Sequence, residues 1–137
     1  MRYGIDALVA LEIARGGIAV HESHTLVGPG RLRSDAMAAL YDGVATGALT
    51  RDEARSILEA LTGVRIRLLN DRVSRATAWK LALSRDALSP TAAEYVAVAR
   101  LQADALVTTD PDVAAFAEGL VEMAPVQALS QPSRADA

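Results

Sequence analysis

Short apolar runs, several of them β-branched, alternate with helix-length segments along most of this chain, and that alternation admits few architectures. Arg2 to Ile5 reads as a strand ending at Asp6, followed by a helix from Ala7 to Ala14 that Gly16 and Gly17 stop. His24 to Val27 predicts a second strand before Gly28-Pro29-Gly30. Met37, Leu40, Tyr41 and Val44 then fall at helical spacing within a helix from about Leu32 to Val44. Thr50 and Glu53 form a capping box, and Ala54, Ile57, Leu58 and Leu61 make the apolar stripe of the helix it opens. Val64 to Leu68 alternates apolar and basic residues, as a strand with one wet face does. Helices are expected from Asp71 to Ser84 and from Pro90 to Gln102, then a strand from Ala103 to Thr109 that ends at Asp110. A helix from Pro111 to Leu120 precedes a last strand, Val121 to Leu129, which Pro125 confines to a sheet edge. The pattern predicts one α/β domain over residues 1–129 with a mainly parallel sheet, and a disordered tail over 130–137.

Composition agrees with a packed domain. The chain has 137 residues, 51% of them hydrophobic, and one core of ordinary size accommodates it. No apolar run approaches the roughly 20 residues that span a bilayer, so no membrane partner is expected. No signal-peptide pattern opens the chain, and it contains no cysteine, which excludes disulfides and thiolate chemistry. A cytoplasmic location is the expectation. The net charge is −3, so contact with nucleic acid has to be local rather than driven by overall charge. Lys80 is the only lysine. Arg31 with Arg33, Arg72 with Arg75, and Arg65 with Arg67 are candidate phosphate contacts or solvated faces. His21 and His24 read as surface residues.

The chemistry-bearing feature is acidic. Ligands of open α/β sheets bind outside the carboxyl ends of the strands, and two strands here end in aspartate, at Asp6 and Asp110. If those strands are neighbours, two carboxylates converge, and a hard divalent cation relieves their repulsion. Helix capping explains either one alone, the more so as Pro111 follows Asp110. Asp112 adds charge at the same corner, Asp35 lies early on the second helix, and Glu94 lies in the first turn of a largely apolar helix.

On these residues the chain resembles a PIN domain, in particular the short VapC-type toxins of bacterial toxin–antitoxin pairs. Arg2 to Asp6 resembles the opening strand with its acid. Leu32 to Leu40, with Asp35, resembles the helix that carries a second acid. Glu94 to Ala99 followed by Leu106 to Asp110 resembles the closing helix and strand. The resemblance implies a three-layer α/β/α sandwich and an Mg²⁺- or Mn²⁺-dependent endoribonuclease, a homodimer restrained by a cognate antitoxin. It implies that Asp6, Asp35 and Asp110 are acidic site residues, with Asp6 and Asp110 on the metal, and that Thr108 supports them. Glu94 and Asp112 remain additional candidates.

Three positions depart from that pattern. Ala92 stands where the family usually has its third acid, Leu8 where a small hydroxyl residue is common, and Asp35 is one methylene shorter than the usual glutamate. Glu94 lies about 200° round the helix from position 92. A degenerate PIN domain, dimerising and antitoxin-binding but with little turnover, is therefore the alternative. Neither a Gly-x-Gly-x-x-Gly nor a Walker A sequence is present, so a nucleotide-binding reading lacks its phosphate loop.

Overall fold

The computed structural model describes residues 1–133. Its four strands are β1 (Arg2–Ile5), β2 (Thr25–Pro29), β3 (Arg67–Leu69) and β4 (Ala105–Val107). They form one parallel sheet in the order β3-β2-β1-β4. The helices are α1 (Ala7–Ala14), α2 (Leu32–Ala45), α3 (Arg51–Leu61), α4 (Arg72–Ser84), α5 (Thr91–Gln102) and α6 (Pro111–Ala117). The result is a three-layer α/β/α sandwich. Helix α5 lies on β1, β2 and β4 and is flanked by α4 and α6, while α1, α2 and α3 pack together as the other helical layer.

Burial explains the layering. Ile5, Val27, Leu106 and Val107 are nearly inaccessible, as strands covered on both faces require. Helix α5 carries consecutive buried residues from Tyr95 to Ala99, so it is wrapped by neighbours rather than amphipathic. It can lie flush on β1 because position 4 is glycine. A Cβ there would sit 2.8 Å from the Cβ of Ala99 and 3.3 Å from its Cα.

The strands are shorter or shifted relative to the alternation of residue types. β2 runs on through Gly28 and Pro29, whose register partners on β3 are Leu68 and Leu69. β3 begins only at Arg67, although Arg65 and Arg67 are exposed as the alternating pattern required. β4 ends at Val107, so Thr108 and Thr109 leave the ladder and carry the chain to Asp110. Helix α6 ends at Ala117, three residues short of the expected Leu120.

The expected strand from Val121 to Leu129 is not a strand. It is reduced to one parallel bridge between Met123 and Leu106, and Pro125 then opens a 3-10 turn, Val126–Ser130, that buries Leu129. Residues 130–133, expected to open a disordered tail, are instead held by hydrogen bonds. The Ser130 hydroxyl donates to the Ala19 carbonyl at 2.7 Å, and the Ser133 N–H donates to Ser23 Oγ at 3.0 Å. Residues 134–137 of that expected tail lie outside the described residues.

His24 is likewise not a surface residue. It is 8% exposed, packs edge-on against Tyr3 at 5.0 Å, and its Nε2 meets the Gln131 carbonyl. Among the described residues no helix is long and apolar enough to cross a membrane.

Candidate metal centre at the carboxyl edge of the sheet

The strand order reverses beside β1. The chain adds β2 and β3 on one side of it, then returns to place β4 on the other. A crevice opens at the carboxyl ends of the two strands flanking such a reversal. Asp6 directly follows β1, and Asp110 follows β4 after the two residues Thr108 and Thr109, so topology brings both aspartates to that crevice. The cleft there has a volume of about 240 Å³ and is lined by Asp6, Asp35, Asp42, Asp110, Thr91 and Tyr95 over an apolar floor that includes Ala7, Ala38 and Val113. Four carboxylates and no lysine or arginine line it.

Capping and convergence coexist. Asp6 caps α1 through Oδ1, which accepts from the Val9 N–H at 2.8 Å, while its Oδ2 accepts from the Thr108 hydroxyl and from the Asp110 N–H at 3.3 Å. Asp110 caps α6 through Oδ1, which accepts from the Asp112 N–H at 2.9 Å. The same Asp110 N–H also reaches Thr108 Oγ1 at 3.0 Å, so Thr108 ties the two strand ends together. Asp6 is 2% exposed, and burial raises its pKa above the usual carboxylate value. The hydrogen bonds from Thr108, Val9 and Asp110 pull it partly back, and the nearby charge of Asp110 raises it again.

Asp35 reaches the cleft from the first turn of α2. Its Oδ2 accepts from the Tyr95 hydroxyl at 2.7 Å and from Arg31 Nε at 2.8 Å. Burial, followed by the hydrogen bond to Asp35, raises the Tyr95 pKa well above that of a free phenol, so this hydroxyl is a donor at any physiological pH. Glu94 does not enter the cleft. It lies in a separate crevice with Asn70, Ser74 and Arg75, and its Oε2 accepts from Arg31 Nη1 at 2.7 Å. Asp112 is exposed and outside the cleft lining; its backbone, not its carboxylate, serves the site. Ala92 packs at the margin of the core and supplies no donor.

The arginine pairs resolve differently from one another. Arg31 is bound to two acids, and Arg33 Nη1 donates to the Leu61 carbonyl at 3.0 Å at the end of α3. Arg72 and Arg75 stay exposed on α4. Asp42 and Thr91 are site residues that the sequence reading passed over. Asp42 carried a signal, since it lies seven positions after Asp35 on the same helix face.

The donor set fits a hard cation. All candidate ligands are oxygens, and neither Asp110 Oδ2 nor Asp35 Oδ1 accepts a hydrogen bond from the described residues. Among the described residues no three His, Cys, Asp or Glu side chains form a metal-holding group. Mg²⁺ is commonly held by one or two carboxylates with water and substrate phosphate completing the shell, and Asp6 and Asp110 are the residues that would supply them here.

No protein-family model matches the chain, and a search of curated proteins finds no match. Among solved structures, the crystal structure of PAE2754 from Pyrobaculum aerophilum is similar, with a TM-score of 0.65 and 20% sequence identity over 94% of this chain and 95% of that one. At this identity the likeness shows the fold alone, over essentially the whole of both chains.

Proposed function

We propose that this protein is a divalent-metal-dependent endoribonuclease that hydrolyses RNA phosphodiester bonds, the toxin component of a type II toxin–antitoxin pair of the PIN, VapC-like kind. The observation that carries this reading is the purely acidic cleft at the β1–β4 reversal, where buried Asp6 is tied to Asp110 through Thr108. Mg²⁺ or Mn²⁺ held by Asp6 and Asp110 would supply a low-pKa water and neutralise charge developing on the phosphoryl oxygens.

The protein's own residues do the positioning. Thr108 fixes Asp6 Oδ2 toward Asp110, and the two helix caps hold both carboxylates in single orientations. Arg31 holds Asp35 at the cleft wall with a further hydrogen bond from Tyr95, and there its carboxylate sits to orient or deprotonate an attacking water. The acidic wall admits a phosphodiester only once a cation is present, because anions repel at short range in a sheltered cleft. Exposed Arg72 and Arg75 offer phosphate contacts away from the cleft. The expected partners are an RNA substrate, a cognate antitoxin and a second copy of the chain, in the cytoplasm.

The test is RNA cleavage by native protein, Asp6→Asn and Asp110→Asn, with Mg²⁺ or Mn²⁺ and with chelator. Cleavage that requires metal and is lost in both variants supports the reading; cleavage that persists in chelator or in both variants overturns it. The non-catalytic alternative is favoured by Ala92 and by the pairing of Asp35 with Arg31. It predicts no cleavage by the native protein and a gain on Ala92→Asp.

A further inference from the structure

The two ends of the sheet carry opposite charge. The acidic cleft lies at the carboxyl ends of β1 and β4, while a second cavity, of about 700 Å³, opens where β1, β2 and β3 begin, at Arg2, Thr25 and Arg67. No residue lines both. Its volume falls within the roughly 300–1,000 Å³ of small-molecule pockets. Arg65 and Arg67, both exposed, supply its charge, and among the described residues neither guanidinium makes an ion pair or a hydrogen bond. Arg2 adds a third guanidinium, which donates to the Gln102 carbonyl at 3.2 Å. Glu22 is the one acid in the lining, so the cavity is locally positive in a chain whose net charge is −3.

The neutral lining is also suited to a ligand. The Ser23 N–H donates to His21 Nδ1 at 3.1 Å, which leaves the ring proton on Nε2. That donor has no partner among the described residues, and neither has the Thr25 hydroxyl. Ile13, Val20 and Val64, all half-buried, form an apolar floor beside these donors. Guanidinium forks recognise oxyanions, and a carboxylate has oxygens for one fork only. A phosphate monoester carries three free oxygens and close to two charges, enough for both. The apolar floor then calls for a flat, weakly hydrated body rather than a hydroxyl-covered one. We propose that this cavity binds a nucleoside monophosphate group, free or as the 5′ end of an RNA chain, with its phosphate on Arg65 and Arg67 and its base on the apolar floor. The proposal does not depend on the metal-site reading, since the two sites share no residue.

The test is calorimetric titration at neutral pH and low ionic strength, in chelator so that no metal bridges an anion to the acidic cleft. The probes are the four nucleoside 5′-monophosphates, inorganic phosphate, glucose 6-phosphate and a 5′-phosphorylated hexanucleotide RNA. At least one mononucleotide is expected to bind saturably at one per chain, with inorganic phosphate and glucose 6-phosphate weaker by about tenfold or more. Replacing both Arg65→Gln and Arg67→Gln removes charge-assisted hydrogen bonds and should weaken the mononucleotide by about tenfold or more. Both side chains are exposed, so the double variant keeps the fold. Arg72→Gln with Arg75→Gln, on α4 and outside the cavity lining, should leave affinity within about twofold of native. A hexanucleotide that binds more tightly than any mononucleotide, and loses that affinity in the Arg65/Arg67 double variant, identifies the 5′ end of RNA as the source of the group; otherwise the source is a free nucleotide. Lack of binding by all four mononucleotides, glucose 6-phosphate binding as tightly as they do, or unchanged affinity in the Arg65/Arg67 double variant would each overturn the proposal and leave the metal-site reading untouched.

Discussion

The hydroxyl of Thr108 donates a hydrogen bond to Oδ2 of Asp6 across 102 positions of sequence, and it joins the ends of two adjacent parallel strands at a carboxylate that is 2% exposed. A hydrogen bond to a buried charge contributes more than one between neutral groups. Thr108→Val is therefore expected to lower stability at neutral pH by about 2 kcal/mol in urea unfolding, with Thr108→Ser recovering most of the loss. Equal stability of Thr108→Val and native protein would show that the hydroxyl does not hold Asp6.

The pH dependence of stability follows from the same carboxylate. The pKa of Asp6 is raised in the folded chain above its ordinary 3.8, chiefly by burial. Between 3.8 and that raised value the folded chain keeps a proton that the unfolded chain has lost. Asp6 therefore makes stability fall as pH rises through that window, with the loss complete above the folded pKa. A divalent cation binds the charged form, so millimolar Mg²⁺ is expected to restore stability above the window and to do little below it. Urea unfolding from about pH 4 to about pH 8, with chelator and with Mg²⁺, reads this difference directly. Parallel curves under the two conditions would contradict it.

Gly4 tests the packing that sets the site's frame. Gly4→Ala would drive a methyl group into Ala99 at 2.8 Å, against a helix backbone with no room to move. The expected cost is about 2 kcal/mol or more, with β1 and α5 forced apart. Thermal unfolding measures it, and a melting temperature equal to that of native protein would show that the layer spacing is not tight there.

Tyr95→Phe removes one of two donors to Asp35 and leaves Arg31 in place. The expected loss is about 1 kcal/mol of stability. In crystals of the variant, Asp35 should remain paired with Arg31. A rotated Asp35 that abandons Arg31 would show that Tyr95, not the ion pair, fixes the carboxylate.

Much of this was legible in the residues. Alternating segments placed β1, α1, α3 and the Thr50–Glu53 capping box where the structure has them, because local hydrogen bonding and periodicity decide those elements. Asp6 and Asp110 were legible as strand-end acids, and their meeting followed once β4 paired with β1. What the chain order concealed was side-chain geometry across it. Arg31 lies 63 positions from Glu94, and no local pattern announces that pair. The segment from Val121 to Leu129 looked like a strand because apolar residues dominate it. Pro125 and the burial of Leu129 turn it into a bridge and a 3-10 turn instead. His24 looked like a loop histidine, and its burial depends on a tail segment 107 positions away.

The most direct measurement is calorimetric titration of native protein, Asp6→Asn and Asp110→Asn with Mn²⁺ at neutral pH. The account predicts saturable binding by the native chain and at least about a tenfold weakening in each variant. Binding of equal strength in all three proteins, or none by the native chain, would contradict the assignment of Asp6 and Asp110 as the ligands of a divalent cation.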